Sequence, residues 1–218
     1  MDLLGCGQSA RLAAEHEYSG RMQADAVREA LAALGINEVV LVFHSLATLL
    51  LPYLLRDLSG VAGVVLLEGN LLSEDTFWSS KIAAMDDCSF ERYFSALQRG
   101  GELMLRSMLK SPPHDDDITR FGASFAAMDR RAFRETAAFG YNGTCSGEAL
   151  RALGSYRGSK LYLRGEHSDA WGGRAALDKA GVRLTMIRNA GHFPHIDNPF
   201  ETYDAVFGYN ASQEDLPC

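Results

Sequence analysis

Clusters of basic residues are the first thing this 218-residue chain lacks. Its 21 lysines and arginines are dispersed among 28 acidic residues, for a net charge of −7. A surface that tracks phosphates needs the opposite balance, so nucleic acid is not expected as a partner. An unbroken apolar run long enough for a membrane span is also missing, and no membrane partner is expected. The longest candidate, Val39–Leu55, is interrupted by His44, Ser45, Thr48 and Pro52. The opening residues "MDLLGCGQSA" have neither a basic nor an apolar leader region, from which a cytoplasmic location is expected. The four cysteines (Cys6, Cys88, Cys145 and Cys218) show no C-x-x-C spacing, a pattern that fits reduced thiols better than a disulfide framework. Without an export signal, the "NGT" at Asn142 and "NAS" at Asn210 read as chance matches to a glycosylation site.

What is present is the composition of a globular chain, 47% hydrophobic and 22% charged, with enough length for one good core. Ser19 can cap a helix with an apolar stripe of Met22, Ala26, Ala30, Leu31 and Leu34, ended by Gly35. Glu38–Phe43 is a short continuous apolar strand of the kind covered on both faces. Leu46–Leu55 follows at helical spacing, with a kink expected at Pro52. Further strands are expected in "VAGVVLLEG" (Val61–Gly69), "KLYLRGEHSD" (Lys160–Asp169) and "VRLTMIRNAGH" (Val182–His192). Asn198–Pro199 with Glu201 starts a last helix. Strands alternating with helices imply a parallel α/β sheet with flanking helices. About ninety residues between the second and third strands, 70–159, hold helix-like segments and an acidic loop, Ser111–Asp117. Such an excursion reads as an inserted helical cap, dividing the chain into 1–69, 70–159 and 160–218.

Three chemically useful groups then fall at strand ends, where open α/β sheets place their ligands. Ser45 follows the first strand, Asp169 the third and His192 the fourth. A hydroxyl needs a base to become a nucleophile, imidazole has the pKa for that work, and a carboxylate behind it fixes the tautomer. In this order, "DLLGCGQS", "LVFHSLAT", "LYLRGEHSDAW" and above all "NAGHFPHIDNPFETYDAV" resemble the α/β-hydrolase fold. The resemblance implies Ser45 as nucleophile, His192 as general base and Asp169 as orienting acid. It also implies the Leu46 N–H as an oxyanion donor. Glu68, ending the second strand, is the alternative acid, because some members of the fold place theirs there. His44, Phe77, Trp78, Trp171 and Phe193 are the candidate pocket residues.

Two features depart from that pattern. Phe43 and Ala47 stand where the nucleophile elbow normally has glycines. The Phe43 ring must turn away from the elbow or loosen it, and in the latter case Ser45 serves only as a helix cap. In addition, "DLLGCGQS" resembles the segment after the family's fourth strand, so the earlier strands and the second oxyanion donor have no counterpart here. Val39–Phe43 is then expected to form a sheet edge, and the chain to self-associate into a homo-oligomer. The expected function is a serine hydrolase acting without metal or cofactor on a small, largely apolar ester, lactone or related acyl compound. The alternative is a truncated, non-catalytic relative.

Overall fold

The computed structural model describes residues 1–169 and 171–211, the last three by backbone course only. Cys218 and the Asn210 side chain lie outside the described residues. Four short strands, β1 (Val39–His44), β2 (Val61–Leu67), β3 (Ser159–Gly165) and β4 (Arg183–Ile187), form one parallel sheet in the order β1-β2-β3-β4. The register aligns Phe43, Leu66, Tyr162 and Leu184 in one row. His44, Leu67, Leu163 and Thr185 form the next. Ser45, Glu68 and Arg164 each lie one residue beyond that second row, so the register alone brings three polar side chains to one end of the sheet.

Helix α1 (Gly20–Ala33) starts where expected, with the Ser19 hydroxyl accepting the Met22 N–H. Its buried face is rotated from the expected stripe. Gln23 and Ala24 are buried, whereas Leu34 is 73% exposed. The cause is local: the Gln23 amide exchanges hydrogen bonds with both the N–H and the carbonyl of Leu4, which lets a polar side chain enter the core. Pro52 does not kink a continuous helix either. Ser45–Leu50 is a 3-10 turn, and Pro52 sits in the first turn of α2 (Leu51–Asp57), where a missing N–H costs nothing.

The excursion between β2 and β3 is helical throughout, as α3 (Phe77–Ala83), α4 (Asp87–Met108), α5 (Asp115–Ala126), α6 (Arg130–Ser146) and α7 (Glu148–Ser155). The sequence spacing predicts helical segments at Phe90–Gln98 and Glu102–Lys110, and α4 holds both, separated by a kink at Gly100, whose backbone is not helical. The acidic "DDD" belongs to a helix and not to a loop. Asp115, Asp116 and Asp117 form the first turn of α5, where negative charge is favourable. Helices α3, α4 and α6 share an aromatic core of Ile82, Phe90, Phe94 and Ala137. By contrast, Ala149 and Leu153 of α7 join the main core against the sheet.

That main core holds Phe43, Leu49, Leu51, Leu54, Leu66 and Tyr162. The Phe43 ring therefore turns into the core, 6% exposed, and leaves the elbow alone. On the other face, Val65, Leu67, Leu161, Leu163 and Ile187 pack with Val206 of α10 (Pro199–Ala211). After β3, α8 (Arg174–Ala180) leads into β4, and beyond β4 the chain passes through α9 (Pro194–Asp197) into α10. β1 is one edge strand of the sheet and β4 the other, and Val42 in β1 is 49% exposed.

Gly165 is where the sheet touches the loop after β4. A Cβ there would lie 2.4 Å from the carbonyl oxygens of both Ala190 and Gly191, which are backbone and cannot swing aside. Gly165→Ala is expected to destabilise the fold by about 2 kcal/mol, read as a lower urea midpoint at unchanged m-value.

Candidate active site

Ser45 leaves β1 with a φ of +53°, a conformation that a non-glycine residue holds only when its surroundings enforce it. The enforcement is visible. β1 is fixed by its ladder, the 3-10 turn begins at once, and the Asn70 N–H donates to the Ser45 carbonyl at 3.3 Å. This sharp turn projects the hydroxyl away from the sheet. Ser45 makes no helix-capping bond. Its Oγ lies 3.0 Å from His192 Nε2 and 3.4 Å from Asn70 Oδ1. Leu46 follows in the turn, whose leading N–H groups have no acceptor within it.

His192 rides on the loop between β4 and α9. Two anchors hold that loop. His44 Nε2 lies 2.7 Å from the His192 carbonyl oxygen, and in the tautomer that donates there it ties the loop to β1. Asp197 accepts the Gly191 N–H on one oxygen and the Lys110 and Ser111 N–H groups on the other, joining the loop to the end of α4. The rings of His44, His192, Phe193 and His195 form one aromatic group, with centroids 4.8 to 6.1 Å apart.

On the far side of the imidazole stands Glu68. Its Oε2 is 4.0 Å from His192 Nδ1, and its side chain is 4% exposed. Like Ser45 it has a positive φ, +49°, at a strand end. Oε1 accepts the Gly165 N–H at 2.6 Å and the Ser168 hydroxyl at 2.7 Å, and Oε2 accepts Arg164 Nη1 at 3.1 Å. Asp169 is placed differently. Its side chain is exposed, and its backbone carbonyl, not its carboxylate, accepts Arg164 Nη2 at 2.5 Å. The turn after β3 closes through the Ser168 N–H to the Gly165 carbonyl and the His167 N–H to the Ala190 carbonyl, leaving Asp169 on the outside.

The other pocket candidates separate in the same way. His44 and Phe193 are beside His192. Trp171 stacks on Tyr162 at 5.1 Å behind Arg164. Trp78 packs in the aromatic core of the excursion, and Phe77 is 71% exposed under Lys81. Asn70, Arg164, Ser168 and Asp197 had no sequence signal as site residues, since each acts through a contact distant in the chain. Among the described residues no three His, Cys, Asp or Glu side chains converge as a metal-binding group, and no helix is long and apolar enough to cross a membrane.

Burial controls the electrostatics. It pushes the His192 imidazole down to about 4, helped by the neighbouring His44 and the Arg164 cation. His44 and His195 are likewise held down to about 4, by burial first and then by a neighbouring histidine. Glu68 is raised by burial against the pull of Ser168, Gly165 and Arg164. A neutral imidazole thus stands between a hydroxyl and a buried carboxyl group.

Residues 1–205 match the sequence profile of the alpha/beta hydrolase family. No curated protein matches the chain. Among solved structures, an esterase from Exiguobacterium antarcticum is similar with a TM-score of 0.70 at 15% identity, over 96% of this chain and 80% of that one. A putative aryl esterase from Burkholderia cenocepacia gives 0.70 at 19% identity, over 97% and 78%. The N-acyl homoserine lactonase AidH, as its E219G mutant, gives 0.69 at 18% identity, over 100% and 79%.

The three depressed imidazoles link stability to pH. Above their ordinary value of 6.5, both folded and unfolded chains hold them neutral. As pH falls below it, the unfolded chain takes up protons that the folded site refuses until about 4. Thermal melting should therefore show Tm falling across that window, and His44→Gln should make the fall shallower. An equal slope in the variant would contradict this account.

Proposed function

Since the chain belongs to the alpha/beta hydrolase family, we propose that it is a serine hydrolase built on Ser45, His192 and Glu68. The observation that carries this reading is the strained Ser45 turn with its hydroxyl 3.0 Å from a neutral imidazole, itself backed by a buried carboxyl group. Ser45 Oγ attacks the substrate carbonyl as His192 Nε2 takes its proton. The Leu46 N–H stabilises the developing oxyanion. The imidazolium then protonates the leaving alcohol, and a water activated by the same nitrogen releases the acid and restores Ser45.

In this reading Glu68, not Asp169, is the orienting acid. Three donors favour its ionised form despite burial, and it is the carboxylate that faces Nδ1. The 4.0 Å separation exceeds a hydrogen bond, and catalytic contacts of this kind often tighten only when substrate binds. The substrate class is a small, largely apolar ester, lactone or related acyl compound. The similarity to an esterase and to an N-acyl homoserine lactonase supports it. Ser45 disfavours epoxide chemistry, which needs an aspartate at that position. Helices α3–α6 serve as the cap that shapes access to the site.

A fluorophosphonate probe and a p-nitrophenyl ester test the assignment together. Wild type should be labelled and turn over the ester, and Ser45→Ala should do neither. Glu68→Gln should lower kcat by a factor on the order of 10²–10⁴, with Asp169→Asn within about twofold of wild type. The opposite ranking of the two carboxylates would return the role to Asp169. Unlabelled wild type would support the non-catalytic relative, a reading that the long Glu68–His192 distance also favours.

A further inference from the structure

Arg164 touches none of the reacting atoms in the reaction just described, yet it is built into the site more firmly than a surface cation would be. Its side chain is 12% exposed. One guanidinium nitrogen donates to Glu68 Oε2 at 3.1 Å, the other to the Asp169 carbonyl at 2.5 Å, and the plane lies 4.9 Å from the Trp171 ring. Trp171 is in turn stacked on Tyr162, whose hydroxyl donates to the Gly69 carbonyl. The guanidinium is therefore locked. Its target is significant, because Oε2 is the same oxygen that faces His192 Nδ1, and the other oxygen is taken by Gly165 and Ser168.

We propose that Arg164 is a positioning residue: by holding Glu68 Oε2 it sets how strongly the carboxylate engages His192, and through that the basicity of the imidazole. The inference rests on the Ser45–His192–Glu68 reading above. His192 is faced by His44 from β1, His195 from α9 and Arg164 from β3, and Glu68 by Arg164, Tyr162 and Asp75. Arg164 is the only cation in that set at neutral pH. Removing it acts twice in one direction. A positive charge that opposes imidazolium disappears, and Oε2 is freed to accept from Nδ1–H. Gly165 and Ser168 remain to favour the ionised carboxylate.

The test is an NMR pH titration of the His192 ring, assigned by its loss in His192→Asn. It needs no substrate, so it can succeed or fail whatever the fluorophosphonate labelling of Ser45 shows. Arg164→Gln should raise the His192 midpoint by about one unit or more. Arg164→Lys, which keeps the charge, should stay closer to wild type. A purely structural arginine would let both variants move together. An unmoved or lowered midpoint in Arg164→Gln, or an equal shift in Arg164→Lys, overturns the proposal. Should Arg164→Gln fail to fold, Arg164→Met, which fills similar space without charge and leaves Glu68 in place, supplies the comparison: its His192 midpoint must rise as well, and an unmoved or lowered one overturns the proposal.

Discussion

A carboxylate taken out of water must be met by donors, and the burial of Glu68 is the constraint around which this site is arranged. Its partners come from the end of β3, from Arg164 and the Gly165 N–H, and from the turn just beyond, through Ser168. Meeting them draws the turn after β3 inward at Ser168 and leaves Asp169 facing solvent. It also places the β2 end beside the loop after β4. Gly165 is consequently squeezed between Glu68 and the carbonyls of Ala190 and Gly191, a space in which a larger residue does not fit.

The second constraint is the Ser45 turn. A positive φ at serine costs of order 1–3 kcal/mol and persists only if the surrounding structure supports it. Support comes from both directions along the chain. Upstream, Phe43 anchors β1 in the main core, and downstream Leu49, Leu51 and Leu54 bury the 3-10 turn and α2 against the same core. Across the sheet, Asn70 holds the Ser45 carbonyl. An elbow that lacks its usual glycines is thus kept by packing on either side, with Phe43 as part of the remedy.

The histidine loop connects sheet and excursion. Asp197, 8% exposed, binds the N–H groups of Gly191 on one side and of Lys110 and Ser111 on the other. Phe193 meanwhile packs with Leu105 of α4 and Ile118 of α5. A shift of α4 relative to the sheet would therefore be felt at His192, which makes the position of the helical excursion part of the geometry around that imidazole.

Much of this was legible in the residues alone. Continuous apolar segments separated by helical ones dictated a parallel sheet, because such strands must be covered on both faces. Ser45 directly follows an apolar strand and His192 lies in the loop a few residues beyond β4, so both were legible as groups at the sheet end that the fold brings within 3.0 Å of each other. Which carboxylate stands beside His192 could not be read the same way. Glu68 and Asp169 both follow strands, and what separates them is which carboxylate the folded chain surrounds with donors, a matter of contacts nearly a hundred residues apart. The rotated face of α1, the burial of Gln23 and the roles of Asn70, Arg164 and Asp197 depend on the same kind of contact. Sequence periodicity determined where the polar groups leave the sheet, and only tertiary packing decided which of them meet, because the satisfaction of a buried charge is settled between distant segments.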